Sequence, residues 1–90
     1  MFHVYILYSN KLDKYYKGST SDLSERLHRH NAGYEKATKP GCPWLLVASF
    51  PKSDCSQALI LERKLKNLSR ARLISFIEKY KGGAGTDELP

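Results

Sequence analysis

The stretch Tyr15–His30, "YYKGSTSDLSERLHRH", changes its period halfway along. Its first part belongs to "KYYKGS", where aromatic and polar residues alternate, whereas from Ser21 onward Leu23 and Leu27 recur four residues apart. A period of two marks a strand and a period of 3.6 a helix, so the stretch reads as strand, turn, helix. Ser21 or Asp22 can cap the helix, Gly33 can supply a left-handed stop, and "SDLSERLHRHNAG" makes about three turns. The same stretch gathers two tyrosines, a glycine, Lys17, Arg26, Arg29, His28 and His30.

Upstream, "HVYILYS" alternates around β-branched and aromatic residues, and the turn-forming "NKLDK" separates it from "KYYKGS". The two segments form a β-hairpin. Downstream, Pro and Gly make "YEKATKPGCP" a loop, and the continuous apolar run "WLLVASF" suits a buried strand. In "SDCSQALILERKLKNL", Ser53 or Asp54 is the cap, and Leu61, Leu65 and Leu68 lie at helical spacing. Ser69 opens a last helix, "RARLISFIEKY", with Leu73, Phe76, Ile77 and Tyr80 on its apolar stripe. The expected fold class is α+β, a small three-stranded sheet flanked by helices in the order β-β-α-β-α-α.

Ninety residues with 41% apolar and 27% charged composition suit one soluble domain with a single small core. The expected domain covers residues 1–81, and the Gly-rich 82–90 is expected to be a disordered tail. No run approaches the roughly 18 apolar residues of a membrane span, and "MFHVYILYSN" lacks the features of a signal peptide, so the expected location is cytoplasmic. Cys42 and Cys55 have neither zinc nor disulfide-scaffold spacing and read as two free thiols. Lys and Arg total 15 against 9 acids, of which Asp87 and Glu88 lie in the tail. Such an excess of bases favours a polyanionic partner, nucleic acid foremost.

On the first strand Tyr5 and Leu7 face one way and Val4, Ile6 and Tyr8 the other; on the second, Tyr16 and Gly18 oppose Tyr15 and Lys17. A hairpin therefore can bring one tyrosine from each strand to a common face, where Gly18 leaves room for a phosphate or another chain. Packing alone also accounts for strand tyrosines. Arg26 and His30 stack one turn apart on the helix, as do Glu25 and Arg29. An arginine fork fits a phosphate and a histidine handles a proton at neutral pH, although charged pairs at this spacing often only decorate a solvated face. Glu62, beside the Leu61 and Leu65 stripe, reads either as a partner for Lys66 or as one carboxylate ligand of Mg²⁺, which completes its shell with water and phosphate oxygens.

In order and spacing, His3-Val4-Tyr5, Tyr16-Lys17-Gly18, "STSDLSERLHRHN" and "QALILERKLKNLSRA" together resemble the GIY-YIG nuclease domain, and most its short single-domain bacterial members of UPF0213 type. The resemblance covers residues 2 to 80. It departs from the usual pattern at His3, where the first motif has glycine, and at Lys17, where the second has an apolar residue. It implies a three-stranded antiparallel sheet flanked by helices and a metal-dependent endonuclease hydrolysing DNA phosphodiester bonds in repair or processing. It carries catalytic roles to Tyr5, Tyr16, Arg26, His30 and Glu62, with Mg²⁺ or Mn²⁺ on Glu62. Candidate nucleic-acid contacts are Lys17, Arg29, Lys36 and Lys39. Larger relatives carry separate DNA-binding domains, so a protein partner is the expected source of substrate choice. The alternative is a non-catalytic or weakly active module gripping phosphates with Lys64, Lys66, Arg70 and Arg72.

Overall fold

The computed structural model describes residues 1–80. The expected end of the domain at residue 81 and the tail at 82–90 lie outside the described residues. Strands β1 (Phe2–Ser9) and β2 (Lys14–Thr20) form the hairpin, followed by helix α1 (Leu23–Asn31), a short 3-10 turn (Lys39–Gly41), strand β3 (Trp44–Lys52) and helices α2 (Cys55–Lys66) and α3 (Arg70–Tyr80). The sheet is antiparallel with the order β2-β1-β3, which makes β1 central. The expected α+β architecture and element order are those observed.

Local chemistry accounts for the element ends. The side chain of Asp22, rather than Ser21, accepts from the Glu25 amide at 3.0 Å, and Asp54, rather than Ser53, accepts from Gln57 at 2.9 Å. Each satisfies an amide that the first turn leaves without a helical acceptor. Gly33 has φ of 80°, a left-handed conformation that suits glycine and turns the chain away from α1.

Because β1 is central, both its faces are covered. Val4 and Ile6 join Phe50, Ala58, Leu61, Leu65, Leu73 and Ile77 in the core beneath α2 and α3. Tyr5, Leu7 and Trp44 form a second cluster on the α1 side, against Tyr16, Leu23 and Leu27. The alternation read from the sequence is thus the division between the two cores.

The third strand corrects an expectation. An unbroken apolar run suits a strand buried on both faces, yet β3 is an edge strand on which Leu45 is 50% and Leu46 40% exposed. Only Trp44 and Phe50 are buried. A bulge between the partners of Ile6 and Leu7 also interrupts the register here. All three helices touch β3, and Val47 and Ala48 in its middle are partly buried against the core, but Leu45 and Leu46 stay largely uncovered.

Candidate active site

The site grows from the hairpin register. Tyr5 stands opposite Gly18 and Leu7 opposite Tyr16, so both motif tyrosines rise on one face with ring centroids 6.3 Å apart. A Cβ added to Gly18 would lie 2.6 Å from the Tyr5 hydroxyl oxygen and 2.8 Å from Cζ. The space at Gly18 is therefore filled by the Tyr5 ring, and not left open to a phosphate or another chain as its sequence position suggested.

Helix α1 lies over this face and delivers His30, which is 1% exposed. Its Nε2 is 2.9 Å from the Tyr5 hydroxyl, and its Nδ1 is 2.8 Å from Thr38 Oγ1. Thr38 Oγ1 in turn donates to the Glu35 carbonyl at 3.4 Å, which leaves an oxygen lone pair to accept Nδ1–H. That tautomer presents a bare Nε2, to which the Tyr5 hydroxyl donates. Burial lowers the His30 pKa, reinforced by the Arg26 and Arg29 charges and opposed by Glu35, so the ring is neutral at pH 7. Tyr5 is pushed up to about 12 by burial and by neighbouring Tyr16, against the downward pull of Arg26.

Thr38 was not among the residues singled out from sequence. The loop after α1 holds it in place: Asn31 clamps the Trp44 backbone through bonds of 2.6 and 3.2 Å, and Trp44 Nε1 donates to the Thr38 carbonyl at 2.8 Å. The Trp44 ring also meets Tyr16 edge-on at 6.2 Å. The only sequence signal was a threonine and a tryptophan in or beside a loop rich in Pro and Gly.

Arg26 lies one turn before His30, and its Nε is buried without a hydrogen-bond partner. Such a group carries a desolvation cost until an acceptor arrives, and an anion is the acceptor best matched to a guanidinium. Arg29 is instead tied to Glu35 at 3.1 Å and lies 3.9 Å from Glu25. Lys36 and Lys39 are exposed on the loop beyond α1, and Lys17 is half-buried on the opposite pleat of β2.

Glu62 comes from α2, which packs on the other face of the sheet against β1 and β2. Its Oε1 accepts from Ser19 Oγ at 2.6 Å, and its Oε2 lies 2.7 Å from Lys66 Nζ. Burial raises its pKa, but the Lys66 and Ser19 hydrogen bonds outweigh that and hold the carboxyl below the ordinary range. The glutamate is therefore ionised at neutral pH, and its charge acts on the Tyr5 hydroxyl. Its side chain is 15% exposed and borders a cavity of about 220 Å³ lined by Leu59, Glu62, Arg63 and Lys66.

Tyr5, Tyr16, Arg26 and His30 thus collect on the α1 face of the sheet with Thr38 as a support that sequence reasoning missed, whereas Glu62 stands with Ser19 on the α2 face and reaches the Tyr5 hydroxyl through its charge. Among the described residues no three of His, Cys, Asp or Glu come together as a metal cage. One ionised carboxylate bordering this cavity fits a hard cation that takes one or two carboxylates and fills its shell with water and phosphate, provided that Lys66 yields its place on Oε2. Cys42 and Cys55 are free thiols, as expected. Among the described residues no helix is long and apolar enough to cross a membrane.

Comparison with known proteins gives the family and the fold. The family described as the GIY-YIG catalytic domain matches residues 1–81. A UPF0213 protein of Xanthomonas axonopodis pv. citri is 33% identical over 78 residues, which span 86% of this chain and 76% of that protein. One from Halobacterium salinarum is 36% identical over 73 residues, 80% of this chain and 94% of its own. The solution NMR structure of a UPF0213 protein from Bacillus halodurans matches with a TM-score of 0.61 at 28% identity, covering 97% of this chain and 94% of that one. From the family match over residues 1–81 and these relatives, the chain belongs to the GIY-YIG family of nuclease-type catalytic domains, and within it to the UPF0213 group.

Proposed function

We propose that the protein is a cytoplasmic endonuclease that hydrolyses DNA phosphodiester bonds with a divalent cation, in DNA repair or processing. One observation carries the reading: the Tyr5 hydroxyl is bonded to a neutral, buried His30 and lies within the electrostatic reach of both Arg26 and Glu62. Proton acceptor, anion-binding cation and carboxylate converge on one oxygen. Family membership supports the nuclease class.

Tyr5 takes the proton of the attacking water as its own passes to His30 Nε2. With its pKa about 12, Tyr5 is not a standing phenolate, so the two transfers are coupled. Thr38 accepts Nδ1–H throughout and keeps the ring in position. Arg26 binds the phosphoryl oxygens and neutralises charge as it builds there. Tyr16, edge-on to both His30 and Trp44, walls the relay from water. Glu62, oriented by Ser19, would hold Mg²⁺ or Mn²⁺, which supplies Lewis-acid stabilisation of the phosphoryl and leaving oxygens.

The test is cleavage of labelled single-stranded, duplex and branched DNA with Mg²⁺ or Mn²⁺, wild type against Glu62→Ala. Cleavage by wild type and its loss in a folded Glu62→Ala is the expected result; full activity in the variant removes the assignment.

A second reading has its own support. Lys66 Nζ sits on the same carboxylate that would take the cation, as in a domain that only binds nucleic acid. Salt-sensitive binding equal in wild type and Glu62→Ala, with no cleavage by either, is its signature.

A further inference from the structure

A second basic feature lies along the same edge of the sheet. A cleft of about 190 Å³ is lined by Lys14, Tyr15, Lys17, Leu68, Arg70 and Leu73. Its cations come from two elements distant in sequence, β2 and the first residue of α3. Arg70 is held there: Nη1 donates to the Asp13 carbonyl at 2.8 Å, Nη2 donates to its carboxylate at 2.7 Å, and the guanidinium carbon lies 5.3 Å from the Tyr15 ring centre. Asp13 balances one of the three cations, so the cleft keeps a net excess of positive charge.

Its position relative to the candidate active site is fixed by the pleat. Ser19, which orients Glu62, Lys17 and Tyr15 all point to the same face of β2. From Ser19 to Tyr15 is four residues, or about 13 Å at about 3.3 Å per residue. Lys17 stands between them and lines the cleft. A DNA strand carries a phosphate about every 3.4 Å of duplex axis. A strand laid along β2 with one phosphodiester at Glu62 therefore brings another to the cleft.

We propose that the Lys14–Lys17–Arg70 cleft is a second phosphate site, which grips a non-scissile phosphodiester of the DNA strand whose scissile bond lies at the Tyr5 and Glu62 site. The register it sets rests on the nuclease reading; the grip itself does not. Arg70 is already ordered by Asp13 and Tyr15, so it presents its remaining N–H groups with little further loss of side-chain freedom. Lys14 and Lys17 add two further positive charges.

The test is anisotropy of a fluorescein-labelled 20-base-pair duplex in EDTA, titrated with the full chain from 50 to 300 mM NaCl. Wild type, Lys14→Gln, Arg70→Gln and Lys79→Gln are compared, the last removing an exposed charge on α3 outside the cleft. Lys14→Gln and Arg70→Gln are expected each to lower the slope of log K against log salt by about 1, and Lys79→Gln to leave it at the wild-type value. Lys14→Gln leaves the Asp13 pair intact and stands as the decisive variant should Arg70→Gln disturb the hairpin. A Lys14→Gln slope equal to wild type, a loss equal to that of Lys79→Gln, or no duplex binding at 50 mM NaCl overturns the cleft. Cleavage of the same duplex by wild type with Mg²⁺ is scored separately. Its absence with the slopes lowered counts against the nuclease reading alone, and its presence with the slopes unchanged counts against the cleft alone.

Discussion

The Tyr5 hydroxyl and His30 Nε2 are 2.9 Å apart in a buried site, joined by a bond between central strand and helix that spans 25 positions of sequence. The phenol is held by burial at a pKa of about 12, and the imidazole is kept neutral. Neither group is a strong acid or base by itself, and the pair moves a proton only as a unit.

If the pair acts as a unit, its members are not additive. Tyr5→Phe and His30→Gln should each lower the cleavage rate by about 10²- to 10⁴-fold, and the double variant should be little worse than either single one. Single-turnover rates on one labelled duplex check this. Multiplicative losses would mean that Tyr5 and His30 act separately.

Thr38→Val keeps the volume of the side chain and removes the acceptor for Nδ1–H. Leaving that group unpaired inside the protein costs about 1–3 kcal/mol of stability. The tautomer preference of His30 is expected to weaken with it, visible in the ¹⁵N shifts of its ring. Wild-type ring shifts in Thr38→Val would show that Thr38 does not set the tautomer.

The pKa of His30 is depressed in the folded protein, so above its unfolded value of about 6.5 neither state is protonated there and folding is unaffected. Below it the unfolded chain takes the proton first, and stability falls until the pH passes the lower folded value. Glu62 behaves in parallel at more acid pH: its stabilisation is present above the ordinary carboxylate range and lost as pH falls through its depressed folded pKa. Urea unfolding between pH 4.5 and 7.5 should show the first loss in wild type and not in His30→Gln. The cleavage rate of the folded protein should hold through this window and fall only at lower pH, as it passes the depressed folded value, because a protonated His30 cannot receive the Tyr5 proton.

Gly18→Ala places a methyl group 2.6 Å from the Tyr5 hydroxyl oxygen. Crowding of this kind typically costs about 1–3 kcal/mol, and here it falls on the reacting phenol. Cleavage should drop more than stability does. Thermal melting and rates measured on one preparation separate the two, and an active Gly18→Ala would show that Tyr5 has slack.

Ser19→Ala frees one oxygen of Glu62 while keeping the carboxylate and its Lys66 partner. Loss of such an orienting bond typically weakens metal binding about 10- to 100-fold. The Mg²⁺ concentration for half-maximal cleavage should rise by that factor, with the rate at saturating Mg²⁺ little changed. An unchanged Mg²⁺ requirement would detach Ser19 from the metal.

The same contrast between local and distant contacts runs through the molecule. The alternation of "HVYILY" was enough to place Tyr5 and Leu7 against Val4 and Ile6, and these became the two cores. The caps at Asp22 and Asp54 and the stop at Gly33 were legible for the same reason. The run "WLLVASF" misled because hydrophobicity says that a strand is apolar, not how many neighbours cover it. At the sheet edge Leu45 and Leu46 are left largely exposed.

By itself the sequence determined the strands and helices, the face on which each candidate residue stands and the basic charge of the chain, since these follow from backbone periodicity over a few residues and from composition. Tertiary structure alone decided which groups meet. Thr38 reaches His30 because Asn31 and Trp44 pin a loop, and Ser19 meets Glu62 across 43 positions because α2 packs against β2. It also decided that the space at Gly18 belongs to Tyr5. Contacts of this kind depend on how two packed surfaces settle against each other, and no local pattern of residues encodes that.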